Sequence, residues 1–295
     1  MECRNQGQSV ERIGKYLEHW KFESLLQNRA LYLGPLRCFT DEYEGFIHEE
    51  YFNDFFFKTI PISHDQGERN ALLTLKRGIR HIKDCTFVSC WTTRTIPSDD
   101  MWMEYVRYGD GVFVLVDKEV LLKHLGVSAR NRNLNMQSGI VKYFDLNKTY
   151  FEHPPDDTSR EKPPLSPDEP DVLPILENGD FLFIKANTFE FEQEYRITVS
   201  RCSGIDFGQW RNLSNSIGAE YATMGVLNHI RIDSEEEYEK VMALPPPEAV
   251  LMAVPLEDII CDIYFKPGVN NDYIRTVRFK LKQFGLDNLL AKLRT

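Results

Sequence analysis

Long apolar segments and closely spaced cysteines are both missing from this sequence. No apolar run approaches the length that crosses a bilayer, and the N-terminal stretch MECRNQGQSVER has no signal-peptide core. We therefore expect a cytoplasmic protein with no membrane partner. The six cysteines form no C-x-x-C pair, and the seven histidines form no H-x-x-H or H-E-x-x-H arrangement. This pattern predicts free thiols and no metal centre.

Several motifs that identify common enzymes are absent too. The chain contains no G-x-S-x-G serine elbow and no glycine-rich phosphate loop of the G-x-x-x-x-G-K-[ST] or G-x-G-x-x-G type. Basic charge is scarce, since 45 acidic residues against 35 basic ones give a formal net charge of -10. That balance disfavours broad electrostatic binding to nucleic acid.

What the chain does contain is the composition of a globular α+β protein, 42% hydrophobic over 295 residues. Apolar periodicity predicts helices and strands in alternation, and a proline- and acid-rich stretch at 153–174 predicts an exposed loop. The sum is a single domain, 1–295, with a central mixed or antiparallel sheet flanked by helices. Helices are predicted at 18–27, 68–83, 97–106, 117–126, 234–242 and 272–284. Strands are predicted at 30–33, 85–92, 111–116, 140–145, 181–184, 250–254 and 259–265.

The segment Phe189–Arg201, F-E-F-E-Q-E-Y-R-I-T-V-S-R, alternates apolar and polar residues and predicts a further strand. Such a strand would place Phe189, Phe191, Tyr195, Ile197 and Val199 inward. The opposite face would carry Glu190, Glu192, Glu194 and Arg196. Two interpretations are open: the wet face of an ordinary half-buried strand, or a carboxylate-lined active-site strand.

Paired carboxylates suit glycosyl transfer from a nucleotide sugar, because a developing oxocarbenium ion needs a facing negative charge. Glu194 would stabilise that cation, Glu192 would orient the incoming nucleophile, and Arg196 would keep Glu194 ionised. Two alternatives remain open. One is a metal-dependent nuclease that uses these glutamates with Glu190, Asp99 and Asp100. The other is a non-catalytic sensor or interaction module.

A wider set of motifs resembles a prokaryotic domain of unknown function associated with abortive infection and phage defence. The pieces are Leu31-Tyr-Leu33 with Asp41-Glu-Tyr-Glu44, Ser89-Cys-Trp-Thr92, Met101-Trp102 with Tyr105, Gly111-Val112, and the segment from Phe189 to Arg196. The resemblance covers most of the chain. It departs at Asp41-Glu-Tyr-Glu44, where the family usually shows N-D-P-F-E.

The layout is also similar to that of ADP-ribosyltransferases, which combine a basic residue on an early strand, a serine-containing strand and a late E-x-E. The resemblance implies that Lys15 and Tyr16 stand on the early strand and Ser89 on the second. Glu192 and Glu194 form the E-x-E. NAD would be the substrate, held with help from Lys15 and Ser89.

The resemblance implies further binding residues and partners. Trp91, Trp102 and Tyr105 are candidates for stacking on nicotinamide or adenine, and Arg196 completes the NAD-binding set. Either Lys15 or Arg12 takes the place of the family's arginine. The acceptor would be an unidentified protein or nucleic acid, and an antitoxin or other defence-system protein is a candidate partner.

Overall fold

A computed structural model of the chain describes residues 11–39, 80–81, 83–144, 180–201, 236, 239–240, 243–245 and 247–294. Its architecture is α+β, with a mostly antiparallel central sheet flanked by helices. The predicted loop at 153–174 and most of the predicted helices at 68–83 and 234–242 lie outside these residues.

The central sheet has nine strands, and a separate parallel pair lies beside it. The nine are β1 (Arg12–Glu18), β2 (Ala30–Pro35), β3 (Thr86–Thr92), β4 (Gly111–Asp117), β5 (Asn135–Ile140), β8 (Glu194–Ser200), β9 (Val250–Ala253), β10 (Ile260–Phe265) and β11 (Leu293–Arg294). The pair is β6 (Lys142–Phe144) and β7 (Ile184–Ala186).

Strand order is β11-β10-β4-β1-β3-β2-β9, with β8 on β3 and β5 on β8. β8 pairs with the whole length of β3, so β1 and β2 share the other edge of β3. β1 meets β3 only at the Gly14–Thr92 pair, whereas β2 meets it at Gly34–Val88 and Pro35–Phe87. The sheet therefore splits along β3, and the backbone of residues 89–91 faces the split.

Helices cover both faces of the sheet. Those with described bounds are α1 (His19–Asn28), α2 (Asp99–Tyr105), α3 (Lys118–Asn131), the short α4 (Leu256–Ile259) and α5 (Asn271–Gln283). The apolar sides of α1, α3 and α5 bury residues such as Leu26, Leu125 and Leu281 in the main core. α2 packs on the opposite face, where Trp102 contacts a smaller cluster around Phe113. Hydrophobic burial on both faces fixes the sheet between these layers.

Gly14 allows the tight packing of β1 beneath that smaller cluster. A Cβ atom added there would lie 1.9 Å from Cζ of Phe113, far inside any real contact. Only glycine lets the Phe113 ring cover the strand at this point.

Most predicted elements have their counterparts, and the exceptions have physical causes. The strands at 85–92, 111–116, 250–254 and 259–265 and the helices at 18–27 and 272–284 are confirmed within one or two residues. The prediction that Gly126 ends a helix is wrong, because α3 continues to Asn131. The buried side chains of Leu125 and Ala129 outweigh the helix cost of one glycine, roughly 1 kcal/mol.

Two other strand predictions fail. Residues 180–183 form a 3₁₀ turn, so the strand predicted at 181–184 begins only at Ile184. The strand predicted at 140–145 is divided between the end of β5 and β6. A short apolar run does not distinguish a strand from a 3₁₀ turn, because either element can bury a few residues on one of its sides.

Candidate active site around two glutamates

The alternating segment does not begin as a strand. Asn187–Glu192 is a 3₁₀ helix, Gln193 has left-handed backbone angles (φ 45°, ψ 53°), and β8 starts at Glu194. The prediction of a strand from Phe189 is therefore wrong in its first half, and Phe191 points outward, 37% exposed. Glu190 is exposed, whereas Glu192 and Glu194 are buried, which excludes the wet-face interpretation for this pair.

The turn at Gln193 nevertheless brings Glu192 next to Glu194. Thr92 holds the turn, since its hydroxyl donates to the carbonyl oxygen of Glu192 at 2.8 Å. The backbone N–H of Thr93 donates to the carbonyl oxygen of Gln193 at 2.9 Å. The end of β3 thus fixes where the two carboxylates lie.

Five buried or partly buried side chains then form what we term the carboxylate cluster: Tyr105, Lys185, Glu192, Glu194 and Arg196. Arg196 clamps Glu194 in a bidentate pair, with Nε to Oε1 at 2.8 Å and Nη2 to Oε2 at 2.9 Å. Lys185 Nζ lies 2.8 Å from Glu192 Oε2 and 3.5 Å from Glu194 Oε2. The Tyr105 hydroxyl donates to Glu192 Oε1 at 2.5 Å.

The charges of this cluster balance, two carboxylates against two cations. Glu194 is 2% exposed and Arg196 is fully buried. Burial alone would raise the pKa of Glu194, but the guanidinium and hydrogen bonds of Arg196, with Lys185, outweigh it and hold the pKa below its usual value. The expectation that Arg196 keeps Glu194 ionised fits this arrangement.

Two tyrosines border the carboxylates. Tyr105 is 38% exposed and connects Glu192 with the surface. Burial, followed by the neighbouring Glu192, raises the pKa of Tyr105 well above its usual range. The Tyr143 hydroxyl accepts the backbone N–H of Glu194 at 2.7 Å, and burial raises its pKa to about 12. Both phenols therefore stay protonated at neutral pH.

Lys15 and Ser89 lie on the other face of the sheet. Residues directly opposite each other in an antiparallel pair share a face, and neighbours along a strand alternate. Glu194 pairs with Thr92, whereas Ser89 pairs with Ile197, a residue of the main core. The expectation that NAD contacts Ser89 and Glu194 in one cleft requires a shared face, and this register does not provide one.

The predicted aromatic residues are also divided. Trp102 is buried, with its ring edge-on to Tyr16 at a centroid distance of 4.8 Å. Tyr16 stacks on Tyr105 at 6.4 Å, on the face of the carboxylate cluster. Trp91 lies on the main-core side near Lys15. Of the three aromatic candidates, only Tyr105 contacts a carboxylate of the pair.

Lys185 and Tyr143 are the site residues that sequence reasoning missed. Both come from the β6–β7 pair. β6 lies far from β8 in chain order, and β7 precedes β8 by a turn. A lysine inside the apolar run FLFIKANTF was the available signal, because a charge in such a run needs a buried partner.

Comparisons with family models, with curated proteins and with solved structures find no match. Within the described ranges, no three His, Cys, Asp or Glu side chains are grouped so that they could hold a metal ion. None of the helices in the described part of the chain is long and apolar enough to cross a membrane.

Proposed function

We propose that this protein is an ADP-ribosyltransferase-like enzyme, with NAD as substrate and a macromolecule as acceptor, acting in phage defence or as a toxin. The observation that carries the proposal is the adjacent pair Glu192 and Glu194, buried on one face with Glu194 favoured in its ionised form. The strand order supports it, because β1, β3 and β8 are neighbours in the sheet and carry the early, middle and late elements of the resemblance.

In this proposal the bond between nicotinamide and its ribose breaks, and nicotinamide leaves with the bonding electron pair. Glu194 stabilises the oxocarbenium ion that develops on the ribose. Glu192 orients the acceptor and receives its proton as the new bond forms. A carboxylate has about four lone-pair sites, and the described contacts of Glu192 use two, from Tyr105 and Lys185. It therefore retains capacity for an acceptor.

The position of Ser89 changes which residues we propose for the ribose. The nicotinamide ribose would bind on the face of Tyr105 and Arg196, next to the glutamates. Lys15 and Ser89, on the opposite face, are left without a contact to that ribose. Their role in holding another part of NAD stays a prediction.

A non-catalytic sensor or interaction module is the second candidate. Arg196 is fully buried, clamps Glu194 bidentately and also donates to the carbonyl oxygen of Leu182 at 2.7 Å. Such a satisfied buried network can serve the fold alone, since breaking it would leave an uncompensated charge. The same contacts thus favour a structural role as much as a catalytic one.

Nicotinamide release from labelled NAD tests the proposal, with wild type compared with Glu194→Gln and Glu192→Gln. We expect each change to reduce turnover by about a hundredfold or more, because each removes charge from the reacting centre. Glu190→Gln is the matched control, since Glu190 is an exposed glutamate of the same 3₁₀ turn. Its turnover should equal that of wild type.

The outcomes separate the candidates. No release of nicotinamide by wild type, together with no NAD-induced rise in melting temperature, contradicts the transferase. If Glu194→Gln lowers the stability of the protein but leaves NAD binding unchanged, the non-catalytic module is favoured. Metal-dependent cleavage of DNA or RNA would instead support the nuclease.

A further inference from the structure

The C-terminal segment 266–295 carries a charge opposite to that of the whole chain. It holds seven basic residues against two acidic ones, whereas the chain has a formal net charge of -10. Such an asymmetry is typical of a segment that meets an anionic partner. Four of the seven basic residues lie on one helix of this segment, α5.

Four of the seven basic residues bind other parts of the chain. Two donate to backbone carbonyl oxygens and two lie against carboxylates: Lys266 and Lys292, then Lys280 and Arg294. On α5, Lys280 Nζ lies 2.6 Å from Oε1 of Glu23 and ties the helix to α1. The basic residues that remain are Arg275, Arg278 and Lys282.

The three remaining basic residues share one face of α5 with an aromatic ring. Positions 275, 278, 279 and 282 follow the i, i+3, i+4, i+7 spacing of a single helix face. This face lies opposite the buried side chains of Tyr273, Val277 and Leu281. Phe279 is 64% exposed, and the neighbouring basic side chains are exposed too. We term this face the basic stripe: Arg275, Arg278, Phe279 and Lys282.

The charges of the basic stripe can all meet an anion. Arg278 and Lys282 make no ion pair with any residue in the described part of the chain. Arg275 Nη1 lies 3.1 Å from Oδ1 of Asp272, but both side chains are about four-fifths exposed. So exposed a pair contributes little, and a phosphate can replace the carboxylate. The helix thus presents three cations over about 10 Å of its axis.

We propose that the basic stripe binds single-stranded nucleic acid through its phosphates and one base. The phosphates of a single strand take the three cations, and an unstacked base offers a flat apolar face to Phe279. A duplex offers the phosphates without that face, because its bases are stacked on one another. An acidic peptide would likewise use the cations and leave the phenyl ring without a stacking partner.

The binding is local to this helix. The rest of the chain is acidic and repels a strand beyond the basic stripe, so salt should weaken the complex readily. The sheet separates α5 from the carboxylate cluster, because α5 packs on the main core and the cluster lies on the opposite face. This inference therefore does not rest on the transferase proposal.

Fluorescence anisotropy of a labelled oligonucleotide of about 12 unpaired nucleotides, titrated with the full chain, tests this. With three phosphates neutralised, the affinity should fall roughly twentyfold between about 50 and 200 mM salt, a logarithmic slope near about -2. Arg278→Gln combined with Lys282→Gln should reduce the slope to about -0.7 and the affinity at low salt by about tenfold or more.

The matched control removes one arginine and one lysine elsewhere on the surface. Arg107→Gln combined with Lys240→Gln changes the net charge by the same amount, at side chains that are 56% and 72% exposed. The affinity and salt slope of this variant should equal those of wild type. Because every substituted side chain is exposed, the melting temperatures of both double variants should match wild type as well.

Phe279→Ala tests the contact with a base. It should weaken binding of the single strand by about tenfold through lost stacking and leave the affinity for a duplex of the same length unchanged. An unchanged affinity for the single strand overturns the proposal, as do equal losses in the two double variants or no binding by wild type at low salt. Tighter binding of polyglutamate than of the oligonucleotide also overturns it and points to an acidic protein instead.

Discussion

The two faces of β3 and β8 hold buried charge in opposite ways. On one face, Glu192, Glu194, Lys185 and Arg196 neutralise one another within hydrogen-bond distance or close to it. On the other, the hydrogen-bond acceptors of Lys15 among the described residues are a hydroxyl and a carbonyl oxygen, and burial lowers its pKa to about 8. Pairing preserves charge in a buried place, whereas isolation shifts the group towards its neutral form. The first face is therefore suited to fixed charge, whereas the charge on the second depends on pH near neutrality.

Arg196→Met is the change that should damage this balance most. It leaves Glu194 buried without its bidentate partner, and we expect a loss of about 3–5 kcal/mol in the free energy of unfolding. Urea unfolding at neutral pH measures it. The double change Arg196→Met with Glu194→Leu is the control and should recover much of the loss, because it removes both charges. A loss below about 1 kcal/mol in the single variant would show that the pair is not a stabilising unit.

Lys185→Met should have a smaller effect. Lys185 lies close to Glu192, at 2.8 Å, and farther from Glu194, at 3.5 Å, and in this variant Arg196 remains in place. We expect about 2 kcal/mol of destabilisation from the lost charged hydrogen bond. The loss should shrink in a Glu192→Gln background, where position 192 carries no carboxylate that needs a cation. The exposed Lys240→Met, which loses a surface pair with Glu236, should change the unfolding free energy by less than about 0.5 kcal/mol.

A loss of the same size for Lys185→Met in the wild-type and Glu192→Gln backgrounds would contradict the pairing as its cause. The residue would then stabilise the fold through another contact, such as the cation–π contact of its Nζ with the Phe189 ring, 4.5 Å from the ring centroid.

Lys15→Met should show the smallest effect, and it should depend on pH. The folded pKa of Lys15 is near 8 and the usual value is 10.5, so between these values the unfolded chain binds more protons than the folded one. Stability linked to Lys15 therefore rises with pH across that window and is fully present above it. We expect wild type to gain about 1 kcal/mol relative to Lys15→Met between pH 8.5 and 9.5. Guanidinium unfolding at both values measures this, and parallel curves for the two proteins would contradict the lowered pKa.

The sequence alone predicted the elements whose buried residues form a regular pattern within one short segment of chain. Val112–Val116 reads as a fully buried strand and α5 as an amphipathic helix, and both are present. The left-handed turn at Gln193 was not predictable from alternation, because a strand and this turn both place residues two apart on one side. Glu192 and Glu194 are therefore neighbours as expected, for a reason other than strand period.

The relations between distant segments were beyond sequence reasoning. Lys185 reaches Glu192 through the β6–β7 pair, whose partners are about 40 residues apart in the chain. The opposition of Ser89 and Glu194 depends on the register of β3 with β8, which a single strand pattern does not fix. The apolar pattern predicts which residues share a face within one strand. Only the pairing of the strands decides which residues of different strands share a face.

Because of the left-handed backbone at Gln193, the sheet can stay intact while the arrangement of the carboxylate cluster is lost. The side chain of Gln193 is exposed, so glycine or asparagine could stand there and keep both carboxylates in place. Chain length is a different matter. One extra residue at this point would leave the β3–β8 ladder intact and turn Glu192 away from Lys185 and Tyr105. Insertions here would thus produce folded proteins without the paired glutamates, a class of variant that stability measurements alone would not detect.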